Sequence, residues 1–160
     1  MQHFVHRRQA HFSRCGLYRY ALWRWWGQGQ DYALIIGLNP STDPAGQDNP
    51  TVRRCVRFAQ QWGYSGVCVA NLFAWRTVEP AALLAAQAPI GPRNDHWLRR
   101  LGPGAAVIVA AWGNHGRHLG RGQAVRRLLP DMQVLRLNRS GEPAHPLYLP
   151  AHLRPQPWGD

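Results

Sequence analysis

Tyr32-Ala33-Leu34-Ile35-Ile36-Gly37-Leu38-Asn39-Pro40-Ser41 is the stretch on which the fold turns. Residues 32–38 are apolar without a break, as a strand buried on both faces requires, and Asn39-Pro40 ends the run. Residues 67–71, ending at Asn71, and residues 105–111, ending in Trp112-Gly113, read the same way, and a fourth strand is expected over 132–137. Helices are expected between these strands. Asn49-Pro50 offers an N-cap followed by proline at the first helical position, opening a helix that runs to about residue 61 with Val52, Cys55, Val56 and Ala59 on its buried stripe. Further helices are predicted over 79–86, 92–101 and 115–129. Apolar strands alternating with helices need right-handed crossovers, which predicts a three-layer α/β/α fold around a mostly parallel sheet. Upstream, the aromatic-rich residues 17–26 read as a strand that Gly27-Gln28-Gly29-Gln30 turns into the central run, adding an antiparallel N-terminal edge strand.

The expected organisation is a basic N-terminal segment (1–16), a single α/β domain (17–150) and a Pro-rich tail (151–160). With 160 residues and 45% hydrophobic composition, the chain can bury a core of roughly two-thirds of its unfolded surface, which excludes a disordered protein. All 19 basic residues are arginines, set against 8 acids for a net charge of +11. Such a surface attracts polyanions, so nucleic acid or a nucleotide is the expected partner. The charge is concentrated in residues 1–30, with five arginines and no acid, and in residues 93–127, with seven arginines and only Asp95. The longest apolar stretch, 105–112, is far below the roughly 18 residues of a membrane-spanning helix, and the first residues lack the apolar run of a signal peptide. Cys15, Cys55 and Cys68 are odd in number and widely spaced, fitting reduced thiols rather than a disulfide framework. A cytoplasmic protein is expected.

In a parallel sheet, ligands bind beyond the carboxyl ends of the strands, where loops and helix amino-termini converge. Here those ends carry Asn39 to Ser41, Asn71 to Phe73, Trp112 to His115, and a segment leading to His145-Pro146. One crevice formed by Asn39, Asn71, Trp112 and His145 is expected. An asparagine offers a donor and an acceptor together and does not titrate, which suits reading a base edge or holding a water. Equally, Asn39 can cap a turn before proline and Asn71 can satisfy loop backbone groups.

Gly37-Leu38-Asn39-Pro40-Ser41-Thr42, Asn49-Pro50-Thr51-Val52-Arg53-Arg54-Cys55, Asn71-Leu72-Phe73-Ala74, Pro89-Ile90-Gly91-Pro92, Asn94-Asp95, Ala111-Trp112-Gly113 and His145-Pro146-Leu147-Tyr148-Leu149-Pro150 together resemble a bacterial and phage domain family of unknown function. More distantly, the same landmarks are similar to the uracil-DNA glycosylase superfamily. Gly37-Leu38-Asn39-Pro40-Ser41 resembles its water-holding motif, Gly66-Val67-Cys68-Val69-Ala70-Asn71 the strand ending in the asparagine that reads uracil, and His145-Pro146 the place of its leaving-group histidine. The resemblance implies a glycosylase-like fold and an N-glycosidic hydrolase acting on a nucleobase, with Asn39, His145 and Asp43 catalytic. Asn71 would read the base edge, and Phe73 or Tyr148 would stack on its face. Leu147 stands where the superfamily motif has a serine, and the domain ends soon after. That departure removes the wedge that enters duplex DNA and points to single strands, nucleotides or modified bases.

Two further features bear on the chemistry. Asn39, an amide, cannot remove a proton from water, so turnover is slow unless Asp43 or Asp48 serves as base. Gly113-Asn114-His115-Gly116-Arg117-His118 opens a helix after a strand, so Gly113, His115 and Arg117, with Ser41 and Arg53, are candidate phosphate contacts. The same segment lacks the lysine and glycine pattern of a nucleotide-binding loop. The His115/His118 and His3/His6 spacings lack carboxylate or cysteine partners, so no metal or cofactor is expected. The alternative to catalysis is a binding module for a nucleotide or nucleic acid, in a phage or mobile-element setting. Trp23, Trp25 and Trp26 are expected to pack rather than to stack on bases.

Overall fold

Seven strands and four helices follow one another along residues 4–159, the part of the chain described in the computed structural model. The strands are β1 (Arg7–Phe12), β2 (Arg19–Trp25), β3 (Tyr32–Gly37), β4 (Gly66–Asn71), β5 (Val107–Ala110), β6 (Gln133–Val134) and β7 (Gln156–Pro157). The helices are α1 (Pro50–Gln61), α2 (Pro80–Ala85), α3 (Asn94–Leu101) and α4 (Arg121–Leu128). His3, half of one histidine spacing noted above, lies outside the described residues.

The sheet order is β1-β2-β4-β3-β5-β6-β7. Pairings β4/β3, β3/β5 and β5/β6 are parallel, while β1/β2, β2/β4 and β6/β7 are antiparallel. The sheet is therefore mixed, and the expectation of a mostly parallel sheet is corrected. Two causes stand out. Gly27 to Gln30 does not make a hairpin; β2 pairs with β4, with Leu22 opposite Val69, so the chain crosses from β2 to β3 around β4. β2 is also not the edge, because β1, from the basic N-terminal segment, covers it. Arg7-Arg8-Gln9 is exposed and carries none of the alternation by which a half-buried strand is read. On the far side, β7 is a two-residue edge containing Pro157, a position that tolerates proline.

Side chains of β3 alternate between two cores. Ala33 and Ile35 pack with Val52, Cys55, Phe58 and Ala59 of α1, while Leu34 and Ile36 pack with Leu83, Leu98 and Val125 of the other three helices. α1 opens as its residues dictate: the Val52 amide donates to Asn49 Oδ1 at 2.9 Å, and Pro50 occupies the first turn. The predicted helix over 115–129 is divided. Residues 114–120 form a 3-10 turn, Leu119 and Gly120 take positive φ of 56° and 63°, and α4 begins only at Arg121. Inside the 3-10 turn the Trp112 indole packs on Gly116, where a Cβ would stand 2.1 Å from it. The predicted strand 132–137 pairs only at Gln133 and Val134 before leaving the sheet. Among the described residues, no helix is long and apolar enough to cross a membrane.

Candidate functional site

β3 and β4 end in register, Gly37 opposite Asn71, and beyond that edge lies a cavity of about 180 Å³. Its polar side chains are Arg19, Asn39, Ser41, Asn49, Thr51, Asn71 and His145. Ile35, Cys55, Val69 and Ala111 give it apolar walls. Asn39, Asn71 and His145, which lie far apart in the chain, share this space. Trp112 does not: it is 1% exposed and its Nε1 donates to Glu142 Oε2 at 2.8 Å, so the crevice is formed without it.

Each of the three is held in a definite state. Asn39 Nδ2 donates to the carbonyls of Thr77 (2.9 Å) and Pro40 (3.2 Å). Those two acceptors fix which end of the amide is nitrogen and leave Oδ1 as the acceptor available to a ligand or water. Asn71 is 3% exposed, and its Nδ2 has no hydrogen-bond partner. Such an orphan donor costs free energy until something accepts from it. Its own carbonyl and that of Leu72 accept from Asn94 Nδ2 at 2.9 and 3.0 Å, and Arg121 Nε also donates to Leu72 O. Asp95, in the first turn of α3, pairs with Arg121. Asn94, Asp95 and Arg121 therefore position the strand end that carries Asn71.

His145 Nδ1 accepts from the Leu147 amide at 3.2 Å, which places the proton of the neutral ring on Nε2. Burial holds its pKa below the usual histidine value, because desolvation penalises the cation. The ring is thus a neutral Nε2–H donor at neutral pH. Its loop is anchored at both ends: the Gly113 amide donates to Pro143 O at 2.8 Å, and Arg54 of α1 donates to Leu149 O.

The remaining candidate residues are placed as follows. Asp43 is outside the lining; its Oδ2 accepts from Ser41 Oγ at 3.0 Å. Asp48 is committed to an ion pair with the fully buried Arg24 at 2.8 Å. Phe73 is 0% exposed and belongs to the core, so it presents no face to a ligand. Tyr148 is 83% exposed with its ring centroid 6.0 Å from that of His145, beside the cavity but not in its lining. Arg53 is exposed and donates to Asp48 O. Gly113 touches the cavity only through His145, 3.9 Å from the place of a Cβ. His115 is exposed, and Arg117 reaches Ser140 O and Glu142. Arg117 lines a second hollow, of about 430 Å³, that shares no lining residue with the first. Cys55 in the cavity wall has its thiol pushed up to about 12 by burial, so it is not a nucleophile at neutral pH. Trp23 and Trp25 stack on each other at 5.5 Å, and Trp26 Nε1 donates to Tyr64 O; all three pack. Among the described residues, no three His, Cys, Asp or Glu side chains gather as a metal site would require.

Arg19 is the residue that sequence reasoning missed. It lies within the aromatic strand, where an arginine reads as an exposed face, yet it is 5% exposed and lines the cavity. No signal in the local pattern separates it from Arg14 or Arg24.

Residues 19–147 match the family described as "Protein of unknown function (DUF1643)". The chain belongs to this family. No curated protein and no solved structure matches it. The DUF1643 match begins at Arg19 and ends just past Pro146, so it contains every residue that lines the cavity.

Proposed function

We propose that this DUF1643 protein takes a single nucleobase into the cavity and acts on its N-glycosidic bond, in the manner of the uracil-DNA glycosylase superfamily that its motifs resemble. The observation that carries this reading is the convergence of Asn39, Asn71 and His145 on one space of about 180 Å³. A cavity of about 150 Å³ holds one benzene-sized ring, so the volume suits a pyrimidine better than a whole nucleotide. Asn71 Nδ2 donates to a ring carbonyl. Asn39 Oδ1 holds the water that attacks the anomeric carbon. As the C–N bond breaks, its electron pair leaves with the base, and His145 Nε2–H stabilises the oxygen on which that charge gathers. The water's proton passes to solvent.

No carboxylate lines the cavity among the described residues, so no general base adjoins the water, and turnover should be slow by about 100-fold or more. The same observation favours the second reading, a module that binds the base without turning it over. Nucleic acid or a nucleotide is the partner in both, with the extruded base entering from a single strand.

The test is base release from single-stranded oligonucleotides containing uracil or modified bases, with binding measured alongside. Losses of about 100-fold in release with binding retained in Asn39→Ala and His145→Ala support hydrolysis. Parallel loss of binding with no release in the parent supports the binding module. Tight binding that follows net charge alone and vanishes with salt overturns both.

A further inference from the structure

The cavity holds a cation for which no ion-pair partner stands among the described residues. Arg19 is 5% exposed, its Nε has no hydrogen-bond partner, and it enters none of the three ion pairs among the described residues. The neighbouring arginines are occupied: Arg24 is bound to Asp48, and Arg76 donates to the carbonyls of Gly16, Ser41 and Asp43. Both add positive potential at Arg19. A buried guanidinium left this way is costly to the folded chain.

Three more features of the same cavity point in the same direction. Asn71 Nδ2 is a second buried donor without a partner. His145 offers Nε2–H. α1, twelve residues long, brings its amino-terminus to the lining through Thr51 and Val52, where the helix field favours negative charge. Three donor groups thus meet in one cavity, and among the described residues no carboxylate lines it. The walls formed by Ile35, Cys55, Val69 and Ala111 are apolar, which suits a planar organic group better than a heavily hydrated inorganic dianion.

We propose that Arg19, Asn71 and the amino-terminus of α1 form a binding site for a planar organic carboxylate carried on a small ring. A guanidinium meets a carboxylate edge to edge with two parallel hydrogen bonds, and one negative charge balances the one buried cation. This site goes beyond the base-directed reading and does not require it, although both occupy one cavity.

Uracil and its 6-carboxylate, orotate, differ by the group in question, and benzoate supplies the carboxylate without the base edge. Calorimetric titration of the full chain with these three and with inorganic phosphate tests the site, on the parent and on Arg19→Met. Orotate should bind about tenfold or more tighter than uracil to the parent, and Arg19→Met should erase the difference. Equal affinities for uracil and orotate in the parent overturn the carboxylate site and leave the base reading standing. Arg19-dependent binding of benzoate, with orotate no tighter and uracil silent, upholds the site and removes the base reading. Phosphate bound through Arg19 while the carboxylates are ignored overturns the proposed ligand class, and so does a parent that binds none of the four. Should Arg19→Met fail to fold, Asn71→Asp places a carboxylate in the cavity instead. It should lose orotate, and retention at parental affinity overturns the proposal.

Discussion

Gly37 and Asn71 face each other in register at the ends of β3 and β4, and a Cβ at Gly37 would stand 3.0 Å from Asn71 Oδ1. The absence of a side chain at one strand end thus sets the position of the amide at the next. Gly37→Ala should push the Asn71 side chain by a few tenths of an ångström. Ligand affinity or turnover should then fall by about tenfold, while stability changes by less than about 1 kcal/mol, because alanine recovers backbone entropy in a strand. Titration together with a melting curve checks this; a large loss of stability with unchanged affinity contradicts it.

Trp112 and Gly116 form the corresponding pair behind the His145 loop. A Cβ at Gly116 would come within 2.1 Å of Trp112 Cδ1, and the indole is 1% exposed with no room to retreat. Gly116→Ala should destabilise the fold by about 3 kcal/mol or more, as overpacking against a rigid ring does. For a chain of this length that lowers Tm by roughly 6 °C or more. The contrast with Gly37→Ala separates a glycine that serves packing from one that serves the cavity.

How much of this was legible in the sequence follows from burial. β3, β4 and α1 were readable because their apolar patterns are set by packing on both sides of the sheet, and Asn49-Pro50 carries its own capping chemistry. β1 and β7 were not, since exposed edge strands pair through the backbone and leave no pattern in side-chain type. That Asn39, Asn71 and His145 would share one space was legible because loops converge beyond the ends of parallel central strands. Phe73 was given a stacking role that its burial forbids, since an aromatic one residue past a strand end reads the same whether it turns inward or outward. Arg19 was illegible for the opposite reason: a buried charge is the exception that composition and periodicity both assign to the surface.

His145 should titrate below the ordinary histidine range, because burial disfavours its cation. With the folded-state pKa depressed, the unfolded chain binds more protons as pH falls through about 6.5. Stability therefore rises with pH across that window and is lost towards acid. NMR titration of the His145 ring should place it below the ordinary histidine value. His145→Asn should flatten the fall in stability between about pH 6.5 and pH 5. A His145 that titrates above the ordinary histidine value would remove the neutral-donor role.

Arg19→Met should make the ligand-free protein more stable. Burial, reinforced by Arg76 and Arg24, pushes the guanidinium down from its ordinary value to about 10, which corresponds to a folded-state cost on the order of 3 kcal/mol while the group is charged in both states. The sign is that of a cation disfavoured on folding: the cost is fully present below about pH 10 and fades as pH rises towards the ordinary guanidinium value, because the folded chain releases its proton first. Methionine follows the same apolar stem and removes the charge, so part of that cost should return as stability, on the order of 1–3 kcal/mol. Tm at pH 7 should rise by roughly 2–12 °C for a chain of this length. The gain should shrink in saturating orotate, which stabilises only the parent by mass action. On the carboxylate proposal, ligand binding offsets this cost to folding. Calorimetric melting of parent and variant, with and without orotate, measures both halves of that exchange. A variant that melts lower than the parent in every condition would mean that Arg19 serves the fold alone.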